Sequence, residues 1–284
     1  MKLFALSDLH VNHPENQQAV ASLPARPEDW LILAGDLGER GEHLEWVFSQ
    51  LVPHWKQVLW VPGNHELYTT PKSPLRGLAK YTYLTDICRE FGVLSPEDPW
   101  PQWPDDPTLW ICPLFLLYDY SFAPDGMDRD GAIRWAAEAG IACADERYLH
   151  ADPFDSKEAW CHDRIEKTQR RLSEIPQGHR TILINHWPLR ADLVRLFRIP
   201  RFIPWCGTRN TEDWHVRHRA EVVVSGHLHM RATDWRDGVR FEEVALGYPR
   251  HWSQEKGAPA YLRQIWPPLG PPPASGEGGP MWHR

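Results

Sequence analysis

Residues 58–66 read Val-Leu-Trp-Val-Pro-Gly-Asn-His-Glu: four apolar residues, then a turn that carries an amide, an imidazole and a carboxylate. A short apolar run closed by Pro and Gly predicts a buried strand, and the polar triplet at its end predicts a site there. The same plan recurs on either side. Residues 2–7 (KLFALS) lead into Asp8, Leu9 and His10, and residues 30–34 (WLILA) lead into Gly35 and Asp36. Further on, residues 181–184 (TILI) lead into Asn185 and His186, and residues 221–224 (EVVV) lead into Ser225, Gly226, His227, Leu228 and His229. Helical segments are expected between these runs: after Pro14, around Leu44, Val47, Phe48 and Leu51, over 72–91 and over 156–175. Strands alternating with helices indicate an α/β fold, in which ligands gather beyond the carboxyl ends of the strands.

The rest of the chain is less regular. Another strand is expected within 109–117, after which Gly, Pro and mixed charge over 118–155 suggest a lid or insertion. Residues 187–219 form a second candidate substrate loop, and Asp237-Gly238 sets the turn of a hairpin between 232–235 and 239–244. Residues 1–265 are read as a single domain, and 266–284 as a loose Pro/Gly-rich tail.

Composition excludes several classes. A length of 284 residues with 42% hydrophobic and 24% charged residues is ordinary globular usage. A formal net charge of −7 argues against a nucleic-acid partner, because such binding draws on Lys and Arg against phosphates. No apolar run is long enough to cross a bilayer and no secretory leader is recognisable, so no membrane is expected and the localisation is read as cytoplasmic. Five scattered cysteines without CxxC spacing fit reduced thiols.

Taken singly, each polar strand end has a plain explanation: an Asp after a strand caps a helix, and a His satisfies a buried hydrogen bond. Taken together, Asp8, His10, Asp36, Asn64, His65, His186, His227 and His229 occupy the ends of five expected strands in order. Carboxylate, imidazole and amide oxygen are hard-to-borderline donors that suit Mn²⁺, Fe²⁺/Fe³⁺ or Zn²⁺.

The ordered set Asp-x-His, Gly-Asp, Gly-Asn-His-Glu, His and Gly-His-x-His resembles the calcineurin-like metallophosphoesterase family. That resemblance implies a four-layer α/β/β/α sandwich of two mixed sheets with a loop or helical lid insertion. It implies one metal ion on Asp8, His10, Asp36 and His229 and a second on Asp36, Asn64, His186 and His227. It further implies that Asp36 bridges the ions and forms the catalytic pair with His65, which assists the leaving oxygen. The nucleophile implied is a hydroxide shared by two ions that also clamp the phosphoryl oxygens. Glu66 is placed behind the ligands.

The alcohol released is left to the loops. Tyr118 and Tyr120 flank Asp119, and Trp187 and Trp205 follow the fourth ligand segment; all four rings, with Arg190, are candidates for a substrate cleft. Seven arginines between Arg190 and Arg219, against Asp192, Glu212 and Asp213, suggest a dock for an acidic partner or an extended phosphate. LLYDYSF at 116–122, WCGT at 205–208, DWH at 213–215 and DGVRFEEVALGYPR at 237–250 resemble a group of actinobacterial phosphopantetheine hydrolases. This implies hydrolysis of the phosphodiester between 4′-phosphopantetheine and a serine of an acyl or peptidyl carrier protein. Trp187, standing where that group is expected to carry Phe, departs from the pattern. The alternatives are a small-molecule phosphomonoesterase or nucleotide phosphodiesterase on the same core, and a protein-binding scaffold, which the complete ligand set disfavours.

Overall fold

The computed structural model describes residues 1–283. Its first sheet has the order β10-β1-β2-β3, built from β1 (Leu3–Leu6), β2 (Arg26–Leu33), β3 (Trp55–Trp60) and β10 (Arg263–Trp266). β1, β2 and β3 run parallel and β10 antiparallel. The second sheet has the order β11-β8-β9-β7-β6-β5-β4. Its strands are β4 (Gln102–Trp103), β5 (Asp106–Pro113), β6 (Arg180–Ile184), β7 (Ala220–Ser225), β8 (Ala232–Arg236), β9 (Val239–Glu243) and β11 (Gly278–Trp282). β5, β6, β7 and β9 are parallel, while β4, β8 and β11 are antiparallel to their neighbours. The expected two mixed sheets are therefore present.

Side-chain alternation explains how the sheets stack. Leu3, Ala5, Ile32, Leu59, Ile111, Ile182, Ile184, Val222 and Val224 form one buried cluster between the sheets. The intervening residues, including Phe4, Leu6, Leu31, Leu33, Val58, Leu183 and Val223, belong to a second cluster shared with helices. α1 (Pro14–Ala21) and α2 (Gly41–Leu51) join it through Ala19, Val20, Leu44, Val47 and Phe48, and α3 (Gly77–Glu90) through Tyr81, Leu84 and Ile87. Residues 118–155 are more ordered than their composition suggests: they hold α4 (Arg129–Ala137) and the single turn α5 (Asp145–Tyr148) before α6 (Lys157–Ser173). α7 (Trp214–Arg217) precedes β7.

The expectation of a loose tail from about residue 266 is corrected. β11 pairs with β8, and the Thr233 hydroxyl and the His283 Nε2 lie 2.7 Å apart. Pro and Gly composition weighs against local order, but an open sheet edge offers backbone partners that composition does not report. All five cysteines are buried and unpaired. No helix among the described residues is long and apolar enough to cross a membrane.

Glu146 of α5 ties the two irregular segments together. Its Oε1 accepts from the Tyr120 hydroxyl at 2.6 Å and the Trp205 indole at 2.8 Å, and pairs with Lys157 at 3.0 Å. Its Oε2 takes Arg129 at 3.0 Å. Burial alone would raise this carboxyl, but Tyr120, Lys157 and Trp205 outweigh it and hold it at about 2. Because the folded value lies below the unfolded one, this contribution to stability is complete above about pH 4.5 and is lost as pH falls toward 2. Glu146→Gln should destabilise metal-stripped protein by on the order of 1–3 kcal/mol at pH 7. Urea midpoints should show its gap from the native chain narrowing as pH drops through 4.

Candidate metal centre

Every ligand-type residue singled out in the sequence leaves the carboxyl end of a parallel strand, and the loops that follow are locked to one another. The Asp8 amide donates to the Gly35 carbonyl at 2.8 Å and the His10 amide to the Asp36 carbonyl at 3.0 Å. Five of these residues sit in the left-handed region: Asp8 (φ 55°), His10 (φ 41°), Asp36 (φ 55°), His227 (φ 72°) and His229 (φ 54°). Such backbone is costly for residues with side chains and persists where the surrounding structure over-determines it, which is typical of functional sites. Gly63 allows the turns to meet, since a Cβ there would lie 2.1 Å from Asp36 Oδ1.

The side chains converge. Asp8, His10 and His229 offer ligand atoms within 4.8 Å of one another, as do Asp8, Asp36 and His186, and as do His10, Asp36 and His65. Asp36 belongs to the last two of these groups, its Oδ2 lying 3.5 Å from His186 Nε2, 3.9 Å from His65 Nε2 and 4.0 Å from His10 Nε2. On one side His229 Nε2 lies 3.0 Å from Asp8 Oδ1 and 3.2 Å from His10 Nε2. On the other, Asn64, His65 and His227 line the same cleft as Asp36 and His229.

Whether these groups suit cations can be judged from their unmet valences. His186 Nε2, His227 Nε2 and Asn64 Oδ1 are buried and have no hydrogen-bond partner among the described residues. Unpartnered buried polar atoms are costly, and three atoms able to offer lone pairs around Asp36 suit a bound cation. His186 Nδ1 faces the Ala34 carbonyl at 2.8 Å, which leaves the Nε2 lone pair for a ligand. Burial alone would lower the His186 imidazole, but the carboxylates of Asp36 and Asp8 outweigh it and hold it up at about 10. Burial and the neighbouring His186 push His227 down to about 3, so it stays a neutral donor. The donor set fits two hard-to-borderline cations.

Glu66, read in the sequence as standing behind the ligands, bonds to the turns that carry the candidate ligands. Fully buried, it accepts from the Leu37, Asp36 and Gly63 amides at 2.7, 3.0 and 3.0 Å and so pins two ligand turns. Asp145 was not legible in the sequence. Its Oδ1 accepts from the Asn64 amide at 2.8 Å and the Tyr68 hydroxyl at 2.7 Å, which turns Asn64 Oδ1 away from them as the free acceptor. Its place in α5, inside a segment without apolar periodicity, gave no signal; only the presence of Tyr68 one turn after Asn64 hinted at a partner.

The expected substrate residues are placed elsewhere. Tyr118, Tyr120, Trp187 and Trp205 are all buried, and neither they nor Arg190 line the cleft. Trp187 packs edge-on against His186, with ring centroids 5.1 Å apart, so it braces a ligand from behind. Arg190 pairs with Asp192 at 2.8 Å. The cleft, about 500 Å³, is instead lined by Tyr68, Leu196, Arg198, Ile199, Phe202, Tyr248, Arg250 and His251 around the candidate ligands. Tyr248 stacks on His10 at 4.4 Å. Large rings win core positions through the apolar area they bury, which is why aromatic richness pointed to the wrong surface.

Residues 1–231 match the model of the calcineurin-like phosphoesterase family. The acyl-carrier-protein phosphodiesterase PptH of Mycobacterium tuberculosis is 44% identical over 270 residues, spanning 93% of this chain and 83% of that protein. The crystal structure of the phosphopantetheinyl hydrolase PptH from the same organism superposes with a TM-score of 0.90 at 42% identity, covering 96% of this chain and 98% of that chain.

Metal titration of variants tests the arrangement. Asp36→Ala should abolish tight binding of both ions, since that carboxylate would serve both. Asp145→Ala should weaken only the ion held with Asn64, by about 10–100-fold. Two unaltered sites in Asp145→Ala would show that the carboxylate does not orient Asn64.

Proposed function

This chain belongs to the calcineurin-like phosphoesterase family, and on that premise we propose that it releases 4′-phosphopantetheine from a holo acyl or peptidyl carrier protein by hydrolysing the phosphodiester to serine. The observation that carries the reading is the 44% identity, across 93% of the chain, to a protein named for that reaction. The family uses divalent metals, and here Asp8, His10, Asp36 and His229 would hold one ion and Asp36, Asn64, His186 and His227 the other. Manganese or iron, with zinc as the alternative, would supply Lewis acidity toward the phosphoryl oxygens and acidify water for attack.

The chain's own groups do the rest. Asp36 and Asp8 fix the anionic floor of the cleft, so the phosphodiester is drawn in only when cations neutralise them. His65 lines the cleft beside Asp36 and is not needed as a ligand. Its Nε2 stands 3.9 Å from Asp36 and its Nδ1 lies 3.6 Å from Glu39 Oε1. Burial alone would lower this imidazole, but Asp36, Glu39 and Asp145 outweigh it and raise it to about 9. Glu39 belongs to no ligand set and faces His65 Nδ1, so His65 is assigned the role of proton donor. That proton passes to the serine oxygen as the phosphorus–oxygen bond breaks, leaving a neutral serine on the carrier protein and phosphopantetheine as the phosphomonoester. Leu196, Ile199 and Phe202 give the cleft apolar surface for the carbon chain of the arm, and Arg250 offers it a cation for phosphate.

Intact-mass measurement after incubation with Mn²⁺ or Fe²⁺ should show holo carrier protein converted to the apo form. Unchanged holo protein, under conditions where bis(p-nitrophenyl) phosphate is cleaved, would contradict the substrate assignment. His65→Ala should keep both ions and lose turnover by about 10²–10⁴-fold; loss of metal in that variant would place His65 among the ligands.

A further inference from the structure

We infer that the turn at residues 196–199, on the lip of the metal cleft, is the surface on which the carrier protein docks, with Phe197 and Arg198 as its contact points. This rests on the carrier-protein reading above. In a holo carrier protein the phosphorus is bonded directly to a serine side-chain oxygen. The scissile bond therefore lies one side chain from the carrier's backbone, and the carrier's surface must come down onto the cleft rim for the phosphorus to reach Asp36, His227 and His229. A rim contact is obligatory, and the structure indicates which part of the rim is made for it.

Leu196, Arg198 and Ile199 line the cleft beside the ligand residues, and Phe197 stands between them facing outward. At 75% exposure Phe197 is the most exposed large hydrophobic side chain among the described residues, and its neighbour Ile199 is 43% exposed. The Phe197 ring meets Trp282 of β11 edge-on at 6.3 Å, so the apolar patch joins two distant parts of the chain. An exposed aromatic cluster at the mouth of a catalytic cleft has no role in the core and marks a contact surface.

Charge selects the partner. Of the seven arginines between Arg190 and Arg219, six are engaged within the molecule. Arg190 pairs with Asp192, Arg195 with Asp234, Arg201 with Glu138 and Arg217 with Asp213, while Arg209 donates to the Ser121 carbonyl and Arg219 to the His179 carbonyl. Arg198 alone has no hydrogen bond or ion pair among the described residues, and it is exposed beside Phe197. A lone cation next to an exposed ring suits a carrier protein that brings an acidic residue and an apolar residue to the same place beside its modified serine. The lip is also pre-formed: Arg195 grips Asp234 through two bonds of 2.8 Å, and tight backbone bonds Phe197 to Arg195 and Ile199 to Leu196 close the turn. A surface already ordered before binding loses less on association.

Steady-state kinetics of Phe197→Glu, with Phe197→Leu as the conservative control, separate docking from catalysis. Phe197 lies outside the cleft lining, so both variants should cleave bis(p-nitrophenyl) phosphate like the native chain. On holo carrier protein, Phe197→Glu should raise KM by about tenfold or more with kcat little changed, while Phe197→Leu stays within about threefold. An unchanged KM on the carrier protein would overturn the inference. So would an equal loss on both substrates, which would mean a structural role. A change confined to sedimentation behaviour would instead assign the patch to self-association and overturn it as well. If the native chain cleaves the small diester and leaves holo carrier protein intact, the substrate reading fails first and the docking surface falls with it.

Discussion

The structure depends on holding two buried carboxylates and several imidazole lone pairs in one cleft. Asp8 and Asp36 are 0% and 2% exposed, and their oxygens face His10, His186 and His229 rather than water. Like charges at this spacing in a low-dielectric surrounding repel strongly, and neutral donors without hydrogen bonds add desolvation cost. A fold tolerates such a cluster when positive charge enters it. In the chain by itself protons supply part of that charge, which is why His186 is held protonated beside Asp36. Metal ions would replace those protons and neutralise the carboxylates that the five left-handed ligand-loop residues bring together.

The remaining architecture fixes that cluster in place. Parallel strands deliver their carboxyl ends to one edge, and Glu66 welds the β2 and β3 turns through three backbone amides. α5 then couples the centre to the cleft wall through adjacent carboxylates with opposite partners. Asp145 orients the Asn64 amide, while Glu146 receives Trp205 from the segment that also carries Arg198 and Phe202.

Much of this was readable before any coordinates. The strand-then-ligand rhythm at Asp8, Asp36, Asn64, His186 and His227 announced both the α/β order and the converging residues, because apolar runs and strand-end polarity are local signals. The helix over 156–175 and the Asp237-Gly238 hairpin were likewise local. What stayed hidden was set by distant partners. Asp145 sits in a segment without periodicity and acquires its role only when folding places it against Asn64. The Arg-rich stretch looked like a single cationic face, yet Asp234 and Glu138, outside that stretch, pair with Arg195 and Arg201, and among the described residues Arg198 has no hydrogen bond or ion pair. Tyr118, Tyr120, Trp187 and Trp205 were expected at the substrate and are instead buried, and β11 formed from a stretch whose composition suggested no order, because β8 supplied an edge.

The central claim is that one bridging carboxylate, Asp36, stands between two cation sites in a single cleft. Anomalous diffraction recorded at the absorption edge of the bound metal tests it most directly. The account predicts two peaks per chain, one on the Asp8, His10 and His229 side of Asp36 and one on the Asn64, His186 and His227 side. A single peak, or a second one away from Asp36, would contradict it.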